Sequence, residues 1–270
     1  MSDFNRPIRD GYEFNGSEFV SEAWGLFKKE AGSFIGATIL FLIIYIVVSI
    51  IPLVNFLATF VQGTLFAGYL IYAAKMKTGS HKMSDFFGGF KYFGQIGLYY
   101  LVVLLMFIPV FLIFFLTVFP FELLSELATG SITSSDFLTA YAGNVTGNIP
   151  MIIGIGLGFM VFALYITLSY SLTIPLIVNG NLGFWQAMET SRKTVAKNFF
   201  SFFSFYLVYG ILALIIMIVT LFLGLLVIYP MMFLVSFVMY ERIYQPDYQI
   251  ADEIDAFGAD SQDINSESQE

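Results

Sequence analysis

Four long stretches of the chain contain no Asp, Glu, Lys or Arg: residues 31–74, 92–121, 137–188 and 198–240. The shortest of them has 30 residues, and a helix that crosses a bilayer needs only about 20 consecutive, mostly apolar residues. Composition agrees, because charged residues make up 12% of the chain, against about 25% in soluble domains. The sequence therefore predicts an all-α fold, a polytopic bundle of transmembrane helices.

Breaks within the stretches divide them into six predicted spans. A single helix through residues 31–74 would be about 66 Å long, against a hydrocarbon core of about 30 Å, so we place a break at Pro52 and Asn55. The last stretch needs a similar break, which we place near residues 220–224, although no strongly polar residue marks it. The predicted spans lie near residues 33–52, 55–75, 96–119, 149–177, 199–219 and 223–240.

The positions of the basic residues predict the orientation. With six spans, every Lys and Arg lies before the first span, between the second and third, between the fourth and fifth, or after the sixth. Loop 121–148, on the opposite side, has carboxylates and no base. Because Lys and Arg of short loops are retained on the cytoplasmic side, both termini are predicted to be cytoplasmic.

Two polar segments flank the predicted membrane domain, which covers residues 16–244. Residues 1–15 are predicted to be a disordered N-terminal segment. Residues 245–270 hold eight carboxylates and no base, which predicts an acidic, disordered cytoplasmic tail. This tail accounts for the whole net charge of −8, because the acids and bases of the other residues balance.

The three basic segments that precede spans one, three and five share a pattern. Each places apolar residues at helical spacing on one face and follows an acid with a base a few residues on. This pattern predicts three amphipathic helices in the headgroup plane, and hence three units of one interfacial helix plus two spans. The predicted apolar faces are Val20, Ala23, Trp24 and Phe27; Met83, Phe86, Phe87, Phe90 and Phe93; and Phe184, Met188, Ser191, Val195 and Phe199.

The same segments carry the residues that we expect to contact anionic lipids or a partner protein. Anionic headgroups attract each nearby Lys or Arg by about 1 kcal/mol, and Trp favours the membrane interface. A plainer interpretation is that these helices only connect the spans and satisfy the positive-inside rule. The candidate contact residues are Trp24, Lys28, Lys29, Lys91, Trp185, Arg192, Lys193 and Lys197.

Several kinds of chemistry lack the residues they need. The chain has no Cys and a single His, His81, which excludes thiolate sites, His-pair metal sites and a two-His acid–base mechanism. No predicted span carries a charge away from its ends, which argues against a pump or a proton-coupled carrier. We therefore expect no catalytic residue, no metal site, no cofactor and no nucleic-acid partner.

Three glycines of the fourth span bear on partners. Gly154, Gly156 and Gly158 include the Gly-x-x-x-Gly spacing at which membrane helices approach closely. The spacing suits a subunit interface, and it suits packing inside one chain, which we favour because a six-helix bundle needs such contacts. The predicted partners are membrane lipids, together with a homo-oligomer or another membrane protein.

Three segments carry a family resemblance: WGLFKK from Trp24, SDFFGGFK from Ser84 and AMETSRK from Ala187. With them, residues 16–244 resemble a broad group of uncharacterised bacterial six-span proteins, related to the membrane domain found beside some glycerophosphodiester phosphodiesterases. The resemblance implies an inner-membrane bundle close to phospholipid metabolism or envelope maintenance. It implies no enzyme activity, because the phosphodiesterase chemistry belongs to a separate soluble barrel with paired His and metal-binding carboxylates.

Two functions fit these features. The first is a non-enzymatic module that interacts with lipids or partner proteins at the cytoplasmic face, indicated by the Trp, Lys and Arg residues concentrated there. The alternative is a channel or facilitator for an uncharged or amphiphilic solute, indicated by uncharged spans and by the kinking residues Pro109, Pro175 and Pro230. An enzyme fits least, because the acids of loop 121–148 have no basic partner.

Overall fold

The computed structural model describes residues 4–50, 55–118 and 121–244. Every regular element in these ranges is a helix, which confirms the all-α prediction for them. The elements are α1 Arg6–Asp10, α2 Gly16–Lys29, α3 Ala31–Ile50, α4 Asn55–Lys77, a 3₁₀ helix Met83–Tyr92, α5 Phe93–Val118, α6 Phe121–Ala128, α7 Ser134–Gly147, α8 Ile149–Ser169, α9 Thr173–Val178, α10 Phe184–Lys197, α11 Phe199–Val219 and α12 Leu225–Tyr244.

Four helical segments among the described residues are long and apolar enough to cross a membrane: Met83–Thr117, Ile149–Val178, Phe199–Val219 and Leu225–Tyr244. A fifth is present if α2 and α3 count as one crossing, although the chain bends by 91° between them. Helix α4 is not among these segments, and it is the least apolar of the predicted spans. The protein is therefore a membrane protein, and the count of six spans stays a prediction.

The last two predicted spans divide at the expected place, because residues 220–224 separate α11 from α12. The Thr220 hydroxyl donates to a carbonyl of α11 and accepts from the Gly224 amide, both at 2.7 Å. Leu221 and Phe222 have positive φ values of 49° and 69°, which cost an L residue roughly 1–2 kcal/mol each. A threonine hydroxyl thus stabilises a strained apolar turn that the sequence does not mark with a charge or a proline.

Contacts divide the chain into two compact units, and the smaller one is residues 100–167. It contains α6, α7 and most of α5 and α8. Within it, the Phe107 ring packs on Phe159 and Phe162, with ring centroids 5.5 and 5.3 Å apart. Aromatic contacts of this kind join α5 to α8.

The glycines of α8 do not take part in such packing. A Cβ added to Gly154, Gly156 or Gly158 would meet nothing within 4 Å among the described residues. The prediction that these glycines pack closely inside the chain is therefore wrong. Within this unit, the contacts of α8 come from its aromatic side chains.

The larger unit comprises the described residues of 1–99 and 168–270, and it is built around three helices that all contact one another. These central helices are α4, α9 and α12. The large side chains that they bury include Tyr69, Leu70, Leu176, Phe237 and Tyr240. The core of the unit therefore lies where the second halves of α4 and α12 meet the short helix α9.

Three flanking helices, namely α2, the 3₁₀ helix and α10, each pack mainly on one central helix. Helix α2 packs on α12, the 3₁₀ helix on α4, and α10 on α9. The 3₁₀ helix begins the second predicted unit and packs on α4, the last helix of the first. Helix α10 begins the third predicted unit and packs on α9, the last helix of the second. Helix α2 begins the first predicted unit and packs on α12, the last helix of the third, which closes a cycle. The weak threefold pattern of the sequence thus corresponds to a cyclic arrangement of contacts.

The 3₁₀ helix approaches α4 more closely than larger residues would allow. A Cβ on Gly68 would overlap the Phe86 carbonyl, and a Cβ on Gly89 would overlap the Thr64 carbonyl. This close approach lets the buried Phe86 ring stack on Tyr72, with ring centroids 4.1 Å apart. Two glycines therefore set the position of this flanking helix on its central helix.

Residues 4–15 differ from the disordered segment that the sequence predicts. They include α1, which buries Pro7, and the Tyr12 hydroxyl donates to the Thr194 carbonyl at 2.9 Å. Scattered apolar and aromatic residues in a polar segment supply these contacts, which composition alone does not reveal. The predicted acidic tail, residues 245–270, lies outside the described residues.

We predict that Gly68→Ala and Gly89→Ala each destabilise the protein by about 1–3 kcal/mol, the usual cost of overpacking, because the added methyl group must displace a carbonyl. Thermal unfolding of the purified protein in detergent measures the effect as a lower Tm. Gly36→Ala is the matched control, because a Cβ there meets nothing within 4 Å. If the Gly89→Ala protein has the same Tm as the Gly36→Ala protein, the close approach of the 3₁₀ helix to α4 is contradicted.

Candidate functional site

Helix α2 buries one face against the central helices and leaves its tryptophan outside. Two residues of the predicted apolar face, Ala23 and Phe27, are buried, together with Phe19 and Leu26. Trp24, predicted on the same face, is 42% exposed and stacks on Phe27 with ring centroids 5.4 Å apart. The buried face is therefore rotated from the predicted one, and Trp24 lies at its edge.

The 3₁₀ helix also turns a different face to the core from the one predicted. With 3.0 residues per turn, residues three apart line up, which places Phe86 and Gly89 together on the buried side. Phe87 and Phe90 form a second row and are 43% and 44% exposed. The predicted face assumed 3.6 residues per turn, and for this reason Phe86 is its one buried member.

Helix α10 stabilises the break between α8 and α9. Ser191 Oγ donates to the Ser169 carbonyl at 2.8 Å and accepts from the Leu172 amide at 3.2 Å. Backbone groups at an interrupted helix need partners when they are buried, and this hydroxyl supplies them. Met188, Ser191 and Val195 of the predicted face are buried.

In two of the three units predicted from the sequence pattern, an acid of the flanking helix forms an ion pair with a base of the central helix on which it packs. Asp85 Oδ1 lies 2.6 Å from Lys75 Nζ, and Glu22 Oε2 lies 3.0 Å from Arg242 Nε. In the third unit the buried hydroxyl of Ser191 takes this role, and the acid of α10 pairs within its own helix. The acids that recur in the sequence pattern thus connect flanking helices to central helices in two units.

A charge cluster of five residues joins α2, α4 and α12. Lys77 Nζ lies 2.7 Å from a Glu241 oxygen and 3.7 Å from a Glu22 oxygen. Arg242 lies 3.0 Å from Glu22 and 3.4 Å from Glu18. The Glu241 side chain is only 8% exposed, so its carboxylate depends on the nearby ammonium group for compensation of its charge.

Sequence reasoning missed the charge cluster, although a signal was present. Glu241 and Arg242 are the first charged residues after the stretch 198–240, and an acid directly at the end of a span needs a partner. The sequence does not say that α4 supplies this partner, because Lys77 is distant along the chain.

The candidate contact residues of α2 and the 3₁₀ helix are accessible. Lys28 and Lys29 are exposed in the last turn of α2. Lys91 is exposed in the last turn of the 3₁₀ helix, where its Nζ lies 6.0 Å from the centroid of the Tyr92 ring. Lys28 and Lys29 are successive residues of α2, whereas Lys91 lies on the 3₁₀ helix.

The candidate contact residues of α10 form the densest group. Trp185 is 63% exposed, and Lys197 is exposed in the last turn. Arg192 and Lys193 share the Glu189 carboxylate, at 2.9 and 3.1 Å. The hydrogen bonds that these two bases donate, of which the one from Lys193 has the larger effect, hold the pKa of Glu189 below its ordinary value. With one acid and three bases, α10 therefore has a net charge of +2 at neutral pH.

An apolar groove of about 720 Å³ lies between α2, α11 and α12, and sequence reasoning did not find it. Its lining on α11 extends from Ser201 to Ile216, which is about 22 Å of helix at 1.5 Å per residue. The first turn of α2 meets α11 at Phe205, where a Cβ on Gly16 would overlap the ring; α2 lines the groove with residues that include Ser17 and Trp24, and α12 contributes Met231. Among the described residues that line the groove, none is charged.

Polar groups of the groove are concentrated at the α2 end. Ser201 and Ser204 lie in the first turns of α11 and face the groove together with Ser17 of α2. Beyond Tyr209, the lining of α11 is aliphatic. The groove therefore combines a weakly polar end with a long apolar stretch, which suits an amphiphile better than a polar solute.

No group of three His, Asp or Glu residues in the described ranges is placed to hold a metal ion. Comparison with models of protein families, with curated proteins and with solved structures finds no match for this chain. The geometry of the flanking helices and of the groove is therefore the basis for a functional proposal.

We predict that Lys77→Met lowers the stability by about 3 kcal/mol, because it removes the ammonium group that lies 2.7 Å from the buried Glu241 carboxylate. The Tm in detergent measures this loss. Lys82→Met is the matched control, because Lys82 is exposed and outside the charge cluster. Adding Glu241→Leu to Lys77→Met should restore most of the stability, since an apolar pair can replace a buried ion pair. A double variant less stable than Lys77→Met would contradict this account.

Proposed function

We propose that the protein is a non-enzymatic membrane module that binds anionic lipids through its flanking helices at the cytoplasmic face of a bacterial inner membrane. The observation that carries the proposal is the two-sided character of these helices. One side of each packs on a central helix, and the other exposes Lys, Arg or Trp. Cations and tryptophan on an exposed helix face are suited to a surface of anionic headgroups.

The geometry at α2 supports an interfacial position. Helix α2 makes an angle of 91° with α3, so α2 lies in the membrane plane when α3 crosses it. The exposed aromatic residues Trp24, Phe87 and Phe90 extend this argument to the 3₁₀ helix, since aromatic side chains favour the headgroup region. We assign all three flanking helices to one interface as amphipathic helices.

The orientation belongs to the same proposal. Six spans, formed by α3, α4, α5, α8 with α9, α11 and α12, bring every Lys and Arg to one side, which is cytoplasmic by the positive-inside rule. The resemblance to bacterial six-span proteins related to the phosphodiesterase-associated membrane domain supports an inner-membrane location near phospholipid metabolism.

We predict that Lys193→Gln with Lys197→Gln lowers the anionic lipid that copurifies with the protein. Each base attracts anionic lipid by about 1 kcal/mol, so we expect at least a roughly twofold lower ratio of anionic to zwitterionic phospholipid. Mass spectrometry of lipids extracted from the purified full chain gives the ratio.

The matched control for this experiment is Arg6→Gln with Arg9→Gln, which changes the net charge equally but on α1 rather than on a flanking helix. Its lipid ratio should remain that of the unaltered chain. An unchanged ratio in the lysine variant, or an equal fall in both variants, would count against lipid binding by α10.

We predict that reporters fused to either terminus are active only in the cytoplasm. A reporter inserted at residues 129–133, between α6 and α7, should be active only outside it, because six spans place this loop on the opposite side. Paired cytoplasmic and extracytoplasmic reporters at each position measure this. A carboxyl terminus outside the cytoplasm would overturn both the span count and the orientation.

A further inference from the structure

We propose that the groove between α2, α11 and α12 binds one diacyl phospholipid with an anionic headgroup, with an acyl chain along α11 and the phosphate beside Lys28. This inference rests on the proposed function for its membrane orientation, but it concerns one defined site rather than a whole surface. The occupant is a lipid of the leaflet that contacts α2.

The size of the groove favours an acyl chain over a protein helix. A volume of about 720 Å³ along about 22 Å of α11 leaves a cross-section of about 33 Å². A helix at least 10 Å wide needs roughly 80 Å², so the groove is narrow for a spanning helix of a second copy or of a partner. The groove has the width of extended hydrocarbon, and its length exceeds the roughly 15 Å depth of one leaflet.

The chemistry of the groove gives the occupant a direction. Along α11 the lining changes from the hydroxyls of Ser201 and Ser204 to aliphatic residues ending at Ile216. An amphiphile therefore binds with its polar end under α2 and its apolar chain toward the turn between α11 and α12. A free anion or a polar solute has no partner over most of the length.

Charge complementarity identifies the headgroup. Trp24 lines the groove, and Lys28 follows it by four residues, so the two side chains are neighbours on one face of α2. Lys28 and Lys29 are both exposed in the last turn of α2, after Trp24, and no carboxylate is paired with them in the described contacts. A phosphate with a net negative headgroup is attracted there, whereas a zwitterionic headgroup also carries its own cation.

The two tryptophans of the chain make occupancy measurable. In a Trp185→Phe variant, Trp24 is the single tryptophan, and brominated acyl chains quench a tryptophan that they contact. The full chain is reconstituted in vesicles that mix phosphatidylglycerol with phosphatidylcholine, and either lipid is the brominated one. We expect brominated phosphatidylglycerol to quench Trp24 at a mole fraction about three- to tenfold lower than brominated phosphatidylcholine does.

Two variants in the Trp185→Phe background separate headgroup from chain. Lys28→Gln should bring the two lipids to within about twofold of each other while chain contact persists. Ala213→Phe fills the groove midway along α11 and should reduce quenching by both lipids at least twofold. Gly210→Phe is the matched control, because it adds the same ring to the same helix where a Cβ meets nothing within 4 Å, and it should leave quenching unchanged.

Equal quenching of Trp24 by the two lipids overturns the proposal. Quenching of Trp24 in the Ala213→Phe protein that equals quenching in the Trp185→Phe protein with Ala213 intact overturns it as well. If neither lipid quenches Trp24, and the Ala213→Phe substitution converts an oligomeric protein to a monomer, a second copy of the chain occupies the groove instead of a lipid. The Trp24→Phe variant distinguishes lipid binding in the groove from lipid binding by the flanking helices, because quenching of its one tryptophan, Trp185, reports lipid contact at α10. A phosphatidylglycerol preference at Trp185 without one at Trp24 rejects the groove alone, and no preference at either tryptophan rejects the proposed function as well.

Discussion

Spanning helices gain little from burying apolar side chains against one another, because lipid tails already provide an apolar environment. Their association depends instead on close approach, aromatic stacking and polar contacts. In the larger unit these contacts are concentrated where flanking helices meet central helices. Gly68 and Gly89 allow backbone contact there, Phe86 stacks on Tyr72, and the charge cluster joins three helices around the Glu241 carboxylate.

The groove is a consequence of this distribution of contacts. Among the described residues of α11, Phe202 alone is buried, and it lies in the first turn, beside α10. Farther along, α11 exposes residues such as Leu212 and Ile215 by about half. A helix attached at one end and loosely packed along its length leaves a gap beside it, and α2 lines this gap with residues that include Trp24.

The sequence predicted the long apolar helices well, but it predicted their buried faces less well and missed α1, α6 and α7. The lengths of the charge-free stretches, with Pro52 and Asn55, indicated where α3, α4, α5, α8, α11 and α12 lie, and length alone indicated the turn at residues 220–224. The predicted faces of α2 and the 3₁₀ helix were wrong in part, because helical periodicity identifies an apolar side but not which neighbour covers it. For the 3₁₀ helix the period itself was different, so Phe87 and Phe90 lie outside the core.

Composition is enough to show that the protein is helical and enters a membrane, because the partition of long uncharged segments into hydrocarbon does not depend on neighbouring elements. The sequence also located every candidate contact residue from Trp24 to Lys197, since aromatic and basic residues beside spans can be found by counting. The pairing of flanking with central helices, the ion pair between Lys77 and Glu241 and the groove are visible only in the folded chain. These depend on distances between residues far apart in the chain, and no local pattern encodes such distances.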